Sequence, residues 1–486
     1  VAPRGRVTRN LVSLVTAQAA TSVISILLLV LVPHYFNAQQ YGVLQFSATF
    51  VGYFGLAALF GTSTFLIKTI ARDPETLGFF VYNALVMKLA LSAVLAGAAV
   101  GVIHVLGAPH DTVLVVEIYS ASMIVSTLND SLVAGLQGVQ RMGGPAAAAV
   151  VQQYVMGAAL VVVLVSRLGV IAYAIAAAAP ILVSLVANGA QLRHELRGTF
   201  NVDARAWRTI AVGGLPFLAW NAVLVIYGTI DIPILQALAG STTVGWYALA
   251  YTWVSTPAGF SSLVVTAIFP SLAAEGTSIS PAFTQMANRA LRLVILVGAP
   301  IATGIALVAA DAFKFLHYNP SFSHAVPLLQ ILSLHIPVVA MDIILGITLI
   351  ASDRQKSWLL VGCIAACVNP LLNLFAIPVS IHQFHNGAVG AAIVTVVTEV
   401  LMMIGAIHLR PKGVLDRATV SYLLRCAGAS LAMIPAVLVA RHSPLFVKVG
   451  IGVVVYAAAS FLLGTMTRDL IVRARWHLQD AISARR

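Results

Sequence analysis

Residues 78–105 read GFFVYNALVMKLALSAVLAGAAVGVIHV, and Lys88 is the only formally charged side chain among these 28 residues. A helix crosses a hydrocarbon core about 30 Å thick with about 20 apolar residues, so this stretch reads as a membrane span. Runs of the same kind fill the chain. About fourteen of them follow one another, near 11–32, 42–66, 78–105, 113–136, 145–165, 168–190, 209–236, 244–268, 285–310, 326–350, 357–378, 387–408, 419–440 and 444–466. Six precede a basic segment at Gln191–Arg208 and eight follow it.

Composition agrees. Hydrophobic residues make up 60% of the chain, charged residues 9%, and the mean hydropathy is +0.95, whereas soluble domains carry roughly 25% charged residues. The net charge of +12 invites a nucleic-acid reading, which its distribution opposes. With the spans above, one side of the membrane collects Arg4, Arg6, Arg9, Lys68, Arg72, Arg141, Arg193, Arg197, Arg205, Arg208, Arg289, Arg354, Lys356, Arg410, Lys412, Arg417 and the basic tail after Arg468. The other side carries only Arg167, Lys314, Arg441 and Lys448. The positive-inside rule then places both termini in the cytoplasm. The basic charge is an orientation device with anionic lipid as its secondary contact, and no nucleic-acid partner is expected. Ala17-Gln18-Ala19 mimics a cleavage site, but the longest apolar run follows it, so the first helix is expected to stay. Cys363, Cys367 and Cys426 fall inside predicted helices and read as packing, not as a disulfide framework or a metal site.

The first six helices and helices seven to twelve read as one unit written twice. The sixth helix opens Gly169-Val-Ile-Ala-Tyr-Ala-Ile175 and the twelfth Gly387-Ala-Val-Gly-Ala-Ala-Ile393. The fourth exits as Leu136-Gln-Gly-Val-Gln-Arg141 and the tenth as Leu349-Ile-Ala-Ser-Asp-Arg354; the second begins Tyr41-Gly42-Val43 and the eighth Val244-Gly245-Trp246. Six helices is an even number, so the copies run in the same direction and are related by an axis along the membrane normal. The expected fold is all-α: an N-lobe at 1–192, a basic cytoplasmic linker at 193–208, a C-lobe at 209–410, and two peripheral helices with a basic tail at 411–486. The lobes are expected to pack face to face around a cavity, the architecture of an alternating-access carrier.

Charges inside a span are costly and normally face a bundle interior or a wet cavity. Lys88 on the third helix and Arg292 on the ninth stand at matching depths, five residues after Asn83 and four after Asn288. Snorkelling to the headgroups is the plain alternative for such long side chains. Carboxylates reach less far. Asp130 on the fourth helix and Asp342 on the tenth occupy equivalent places, Glu399 lies mid-way along the twelfth, and Asp231 toward the outer end of the seventh. Each is either functional or the structural partner of a cation or helix end. Polar faces suggest a lumen: Gln18 with Thr21, Ser22 and Ser25; Trp220, Leu224, Tyr227 and Asp231; His335 with Asp342; Asn369 with Asn373. Interhelical glue is the alternative for any one of these. No G-x-x-x-x-G-K-[ST] loop, HExxH or GxSxG occurs, so no ATPase, catalytic residue, cofactor or metal is expected, and the chain does not read as an enzyme.

The sequence resembles the O-antigen-type, Wzx-like polysaccharide flippases of the multidrug/oligosaccharidyl-lipid/polysaccharide exporter superfamily. The resemblance rests on Pro33-His-Tyr-Phe-Asn-Ala-Gln-Gln-Tyr-Gly42, Gly61-Thr-Ser-Thr-Phe-Leu-Ile-Lys68-Thr-Ile-Ala71, Pro216 with Asp231, Val244-Gly-Trp-Tyr247, Gly298-Ala-Pro300, Asp353-Arg354, and Val368-Asn369 with Gly387–Ile393. It implies fourteen helices in two lobes and translocation of an undecaprenyl-diphosphate-linked oligosaccharide from the cytoplasmic to the periplasmic leaflet of the bacterial inner membrane. Two departures stand out: His34 replaces the family's arginine, and Ile232 the cation that often follows the seventh-helix aspartate. Peptidoglycan-precursor flippases and cation-coupled drug antiporters of the same superfamily remain alternatives, as does, in a different class, a lipid-linked sugar polymerase or ligase. With a lipid-linked diphosphate as substrate, Lys88 and Arg292 are the expected phosphate partners and Lys68 lies nearer the entrance. Gln18, Trp220, Tyr227, Asp231 and Asn369 are the expected polar and sugar-facing positions. Burial favours a neutral acid, so Asp342, with His335 on the same face, leads the candidates for ion coupling, followed by Glu399 and Asp130. Membrane lipids, a polysaccharide polymerase and glycosyltransferases are the expected partners of a monomer.

Overall fold

A computed structural model describes residues 23–196, 201–276 and 279–466. Among them there is no strand. The elements are α1 (Val23–Tyr35), α2 (Ala38–Leu59), α3 (Thr62–Arg72), α4 (Leu77–Val105), α5 (His110–Gly138), α6 (Gly143–Val165), α7 (Gly169–Ala178), α8 (Ile181–Leu192) and α9 (Ala204–Thr229). They continue as α10 (Asp231–Glu275), α11 (Pro281–Phe315), α12 (Ala325–Ser333), α13 (His335–Ala351), α14 (Gln355–Phe384), α15 (Gly387–Leu409), α16 (Arg417–Leu431), α17 (Met433–Val439) and α18 (Leu445–Leu462).

Twelve helical stretches among the described residues are long and apolar enough to cross a membrane, and the chain is a multi-pass membrane protein. The fourteen expected spans do not map one to one onto these twelve. One stretch, Ala204–Glu275, has 72 residues, about 108 Å at 1.5 Å per residue, and covers the expected seventh and eighth helices. It is broken at Gly240, whose φ of 78° and ψ of 175° are non-helical; glycine adopts such a conformation without a Cβ penalty. Of the expected first helix, the part from residue 23 is helical, and Gln18 lies outside the described residues.

The helix starts are written in capping chemistry. Asn37 and Gln40 form a reciprocal box at α2, Asp203 caps α9, Ser280 with Pro281 opens α11, and Asp416 caps α16, each satisfying amide donors that the first turn leaves without partners. Prolines inside α9, α10, α11 and α14 remove backbone donors, which spans tolerate where neighbours re-satisfy the freed groups. Val94, Phe375, Val439 and Leu462 are exposed, as faces toward lipid require.

The chain divides into two compact units, one of Val1–Ala248 with Tyr318–Phe322, the other of Leu249–His317 with Ser323–Arg486. The first is packed around Leu66, Ile70, Val81, Leu136, Leu192 and Ile210, from α3, α4, α5, α8 and α9. In it, Gly61 at the break between α2 and α3 has a φ of 65°, and a Cβ there would stand 2.4 Å from the Gly214 carbonyl oxygen of α9. The second unit packs α11, α13, α16, α17 and α18 together through Leu291, Val294, Leu345, Cys426, Met433 and Tyr456. All three cysteines are free.

Candidate functional site

In the first unit the third-span cation is committed. Lys88 has no exposed surface, and its ammonium donates to Asp130 Oδ2 at 2.8 Å. Ser63 of α3 donates to the same carboxylate oxygen, so α3, α4 and α5 meet at one charge-assisted network. The lysine side chain is 0% exposed and the aspartate 33%, which makes the carboxylate the end that can exchange partners. A cavity of about 470 Å³ is lined by Gly52 and Gly55 of α2, Ser122, Ser126 and Thr127 of α5, and Val225 of α9. Asp130 lies one turn beyond Ser126 on the same face of α5.

Asp231, at the start of α10, is buried and accepts from Tyr247 Oη at 2.6 Å. Beside it in sequence, Thr229 shares a 3.0 Å hydrogen bond with Tyr53 of α2. Trp220 and Tyr227 are half-buried on α9, while Lys68 is exposed on α3. These expected substrate-facing positions are thus spread over several elements.

Asn83 and Asn288 do matching jobs. The Asn83 amide donates to the Asn201 carbonyl at 3.1 Å and accepts from Asp203 N at 2.9 Å. The Asn288 amide donates to the Gly413 carbonyl at 2.9 Å and accepts from Leu415 N at 2.7 Å. Each therefore grips the connection that leads into a capped helix, α9 in one case and α16 in the other. Arg292, one turn beyond Asn288, donates to Thr419 Oγ1 at 2.9 and 3.1 Å, lies 3.8 Å from Asp416 Oδ1 and covers the Tyr422 ring at 5.6 Å. Its guanidinium points to α16, a partner the sequence did not suggest.

The second unit encloses a different cluster. His335 and Asp342 of α13 and Glu399 of α15 are all buried, at 6%, 5% and 3% exposure. His335 Nδ1 stands 3.9 Å from Glu399 Oε2, beyond hydrogen-bond length, and has no hydrogen-bond partner among the described residues. Asp342 Oδ1 is likewise buried without one, and it lies within electrostatic range of Glu399. Next to Glu399, Thr398 accepts from Asn369 of α14 at 3.3 Å, and Asn373 donates to Asn369 at 2.8 Å. A buried polar group left without a partner costs about 1–3 kcal/mol, so a proton or a small cation has an energetic reason to enter here.

Sequence reasoning missed Ser63, Tyr53, Tyr247, Thr398, Thr419 and Asp416 as partners. Ser63 and Tyr247 sit inside Gly61-Thr-Ser-Thr and Val244-Gly-Trp-Tyr247, so the motifs contained the signal. Asp416 was not singled out in the sequence at all.

Residues 7–274 match the family of polysaccharide biosynthesis proteins. No curated protein matches the chain significantly. Among solved structures, a lipid II flippase, MurJ, in an inward closed conformation is 14% identical, with 94% of this chain and 99% of that chain covered at a TM-score of 0.76. An inward-facing multidrug resistance MATE family transporter of the MOP superfamily is 16% identical over 83% of this chain and 96% of its own, at 0.61. An outward-facing one is 13% identical over 86% and 96%, at 0.54. At these identities the likeness is one of fold, and with the family match over more than half of the chain it decides the classification. The chain belongs to the polysaccharide biosynthesis protein family, on the fold of the MOP superfamily.

Proposed function

We propose that this protein is a flippase that carries an undecaprenyl-diphosphate-linked oligosaccharide from the cytoplasmic to the periplasmic leaflet of a bacterial inner membrane by alternating access, with both termini in the cytoplasm. The observation that carries the reading is the match to polysaccharide biosynthesis proteins over residues 7–274 on a fold resembling that of a lipid II flippase. The lobes are residues 1–192 and 209–410, joined by the basic linker 193–208 and followed by the helices of 411–486.

In this reading the diphosphate is met by Lys88 and Arg292, with Lys68 nearer the entrance. Each of the two inner cations holds a carboxylate that is itself partly exposed, Asp130 at 33% and Asp416 at 47%. A dianionic headgroup competes for the cation and displaces the carboxylate. Trp220, Tyr227, Asp231, Asn369 and Gln18 contact the glycan. His335, Asp342 and Glu399 couple the cycle to an ion gradient. That enclosed cluster also favours a second reading, a cation-coupled exporter of amphipathic small molecules.

Proteoliposomes loaded with a fluorescent undecaprenyl-diphosphate oligosaccharide decide between them. Flipping is read as loss of the protected inner-leaflet fluorescence to an impermeant reductant outside. Protein-dependent flipping of the lipid-linked sugar, with no gradient-driven efflux of cationic dyes, is expected. Dye efflux without lipid flipping would overturn the flippase reading, and glycosidic bond formation by the purified protein would overturn both.

A further inference from the structure

A second feature of the 249–466 region plays no part in that reading. A cavity of about 440 Å³ runs between α11, α17 and α18, walled by Pro300, Gly304, Met433, Val437, Gly452 and Val453. It exists because two glycines withhold side chains along it. A Cβ at Gly452 would meet Met433 Cε at 3.1 Å, and one at Gly304 the same atom at 3.9 Å. The walls are hydrocarbon, and one ionic group stands among them. Lys448, at the first turn of α18, lines the cavity and donates to Asp311 Oδ2 of α11 at 2.6 Å. The lysine side chain is 7% exposed and the aspartate 33%.

The surroundings of this pair are basic. Lys314 follows Asp311 by one turn and is exposed; Arg441, also exposed, stands in the connection from α17 to α18. The ends of α11 and α18 are held together above the groove by Phe315 and Phe446, edge to face at 4.9 Å. Lys448 thus lines the groove itself, while Lys314 in the last turn of α11 and Arg441 just before α18 stand at the same helix ends as the Lys448–Asp311 pair. An acyl chain fits the walls, a phosphodiester fits the excess positive charge, and Asp311 can accept from a headgroup hydroxyl while Lys448 stays paired.

We propose that α11, α17 and α18 form a binding site for an anionic diacyl phospholipid of the leaflet at this end of the helices, its acyl chain in the groove and its phosphate at Lys314 and Arg441. The site does not depend on which molecule the protein transports. Native mass spectrometry of the purified protein with phosphatidylglycerol and with phosphatidylcholine of the same acyl chains tests it. Phosphatidylglycerol is expected to bind about tenfold or more tightly than phosphatidylcholine, since each basic residue near a headgroup contributes on the order of a severalfold gain. The Lys314→Ala/Arg441→Ala double variant, altered only at exposed positions, should bring it down to the phosphatidylcholine level. Gly304→Leu, which fills the groove, should weaken both lipids, and Val453→Trp, which blocks it from the lipid side, should do the same if Gly304→Leu does not fold. Equal binding of the two lipids by the unaltered protein, or unchanged phosphatidylglycerol binding in the double variant, overturns the proposal.

Discussion

Gly42 of α2 and Gly245 of α10 lie against each other. A Cβ at Gly42 would stand 1.7 Å from the Ser241 carbonyl oxygen and 2.9 Å from Gly245 N, and one at Gly245 would stand 1.9 Å from the Ala38 carbonyl oxygen. In the sequence the two glycines stand in the paired segments Tyr41-Gly42-Val43 and Val244-Gly245-Trp246. Neither glycine has a positive φ, so space and not backbone freedom demands it.

A methyl group at either position therefore has to move backbone. Gly42→Ala and Gly245→Ala are each expected to cost about 1–3 kcal/mol, read as a lower melting temperature in detergent. Gly52 is the control: an added Cβ there meets nothing within 4 Å, and alanine gains about 0.5–1 kcal/mol of helix propensity. Equal melting temperatures for all three variants would show that the contact between Gly42 and Gly245 is loose.

Lys88 and Asp130 give an asymmetric prediction. Breaking a buried pair costs about 3–5 kcal/mol when the uncompensated charge stays buried, and here the buried member is the lysine. Asp130→Asn should therefore destabilise more than Lys88→Met, whose stranded carboxylate is a third exposed. The double variant should regain stability without regaining transport, whereas Lys88→Met alone should lower transport about tenfold or more at constant expression. Normal transport by a stable Lys88→Met protein would make the pair purely structural.

The span pattern was legible because apolar run length is a property of the chain in one dimension. The matched depth of Lys88 and Arg292 was legible for the same reason. Asp130, Asp342 and Glu399 stood out as candidate partners, but which of them each cation would meet did not. Whether Lys88 meets Asp130 depends on the rotation of α4 against α5, and Arg292 meets Thr419 across 127 positions of sequence. Asn83 and Asn288 were noticed only as neighbours of the cations. Their hold on the connections at 201–203 and 413–415 needed the fold, since an amide that serves two backbone groups has no sequence signature. His335 and Asp342 were placed on one face by their spacing, and they do share the buried interior with Glu399. Gln18 falls outside the described residues.

The two asparagines predict local loosening. Each amide serves the connection with one donor and one acceptor, and a hydrogen bond contributes about 0.5–1.5 kcal/mol net. Asn83→Ala should speed tryptic cleavage within 193–208 several-fold and leave 410–417 unchanged. Asn288→Ala should do the reverse. Cleavage rates like those of the unaltered protein would mean the connections are held by their helix caps alone.

Asp416 supplies a pH dependence. Its carboxylate accepts from the Thr419 amide and hydroxyl, and these bonds first, then Arg292, hold its pKa below the usual carboxylate value. A depressed folded-state pKa gives stability that is fully present above the unfolded value, near 3.9, and is lost as pH falls through the lower folded value. Asp416→Asn should keep the cap and remove this acid-sensitive component; Asp416→Ala should lose the cap as well, about 1 kcal/mol. Acid melting curves that coincide for Asp416→Asn and the unaltered protein would count against the assignment.

Energy coupling is the prediction with the widest consequence. Asp342 is enclosed with Glu399 and with His335, whose Nδ1 has no hydrogen-bond partner among the described residues. An enclosed charge without a hydrogen-bond partner is costly, and opening of the enclosure to water relieves that cost. Opening to one side and then the other would thus load and unload a proton. Asp342→Asn mimics the loaded form permanently. In liposomes it should keep substrate binding and lose the dependence of transport on an imposed pH gradient, and Glu399→Gln should do the same to a lesser degree. His335→Gln should shift the pH at which transport is half-maximal, because the imidazole is the one group of the cluster that titrates near neutrality when exposed. If all three variants respond to the gradient as the unaltered protein does, the cluster is a packing feature and the coupling ion acts elsewhere.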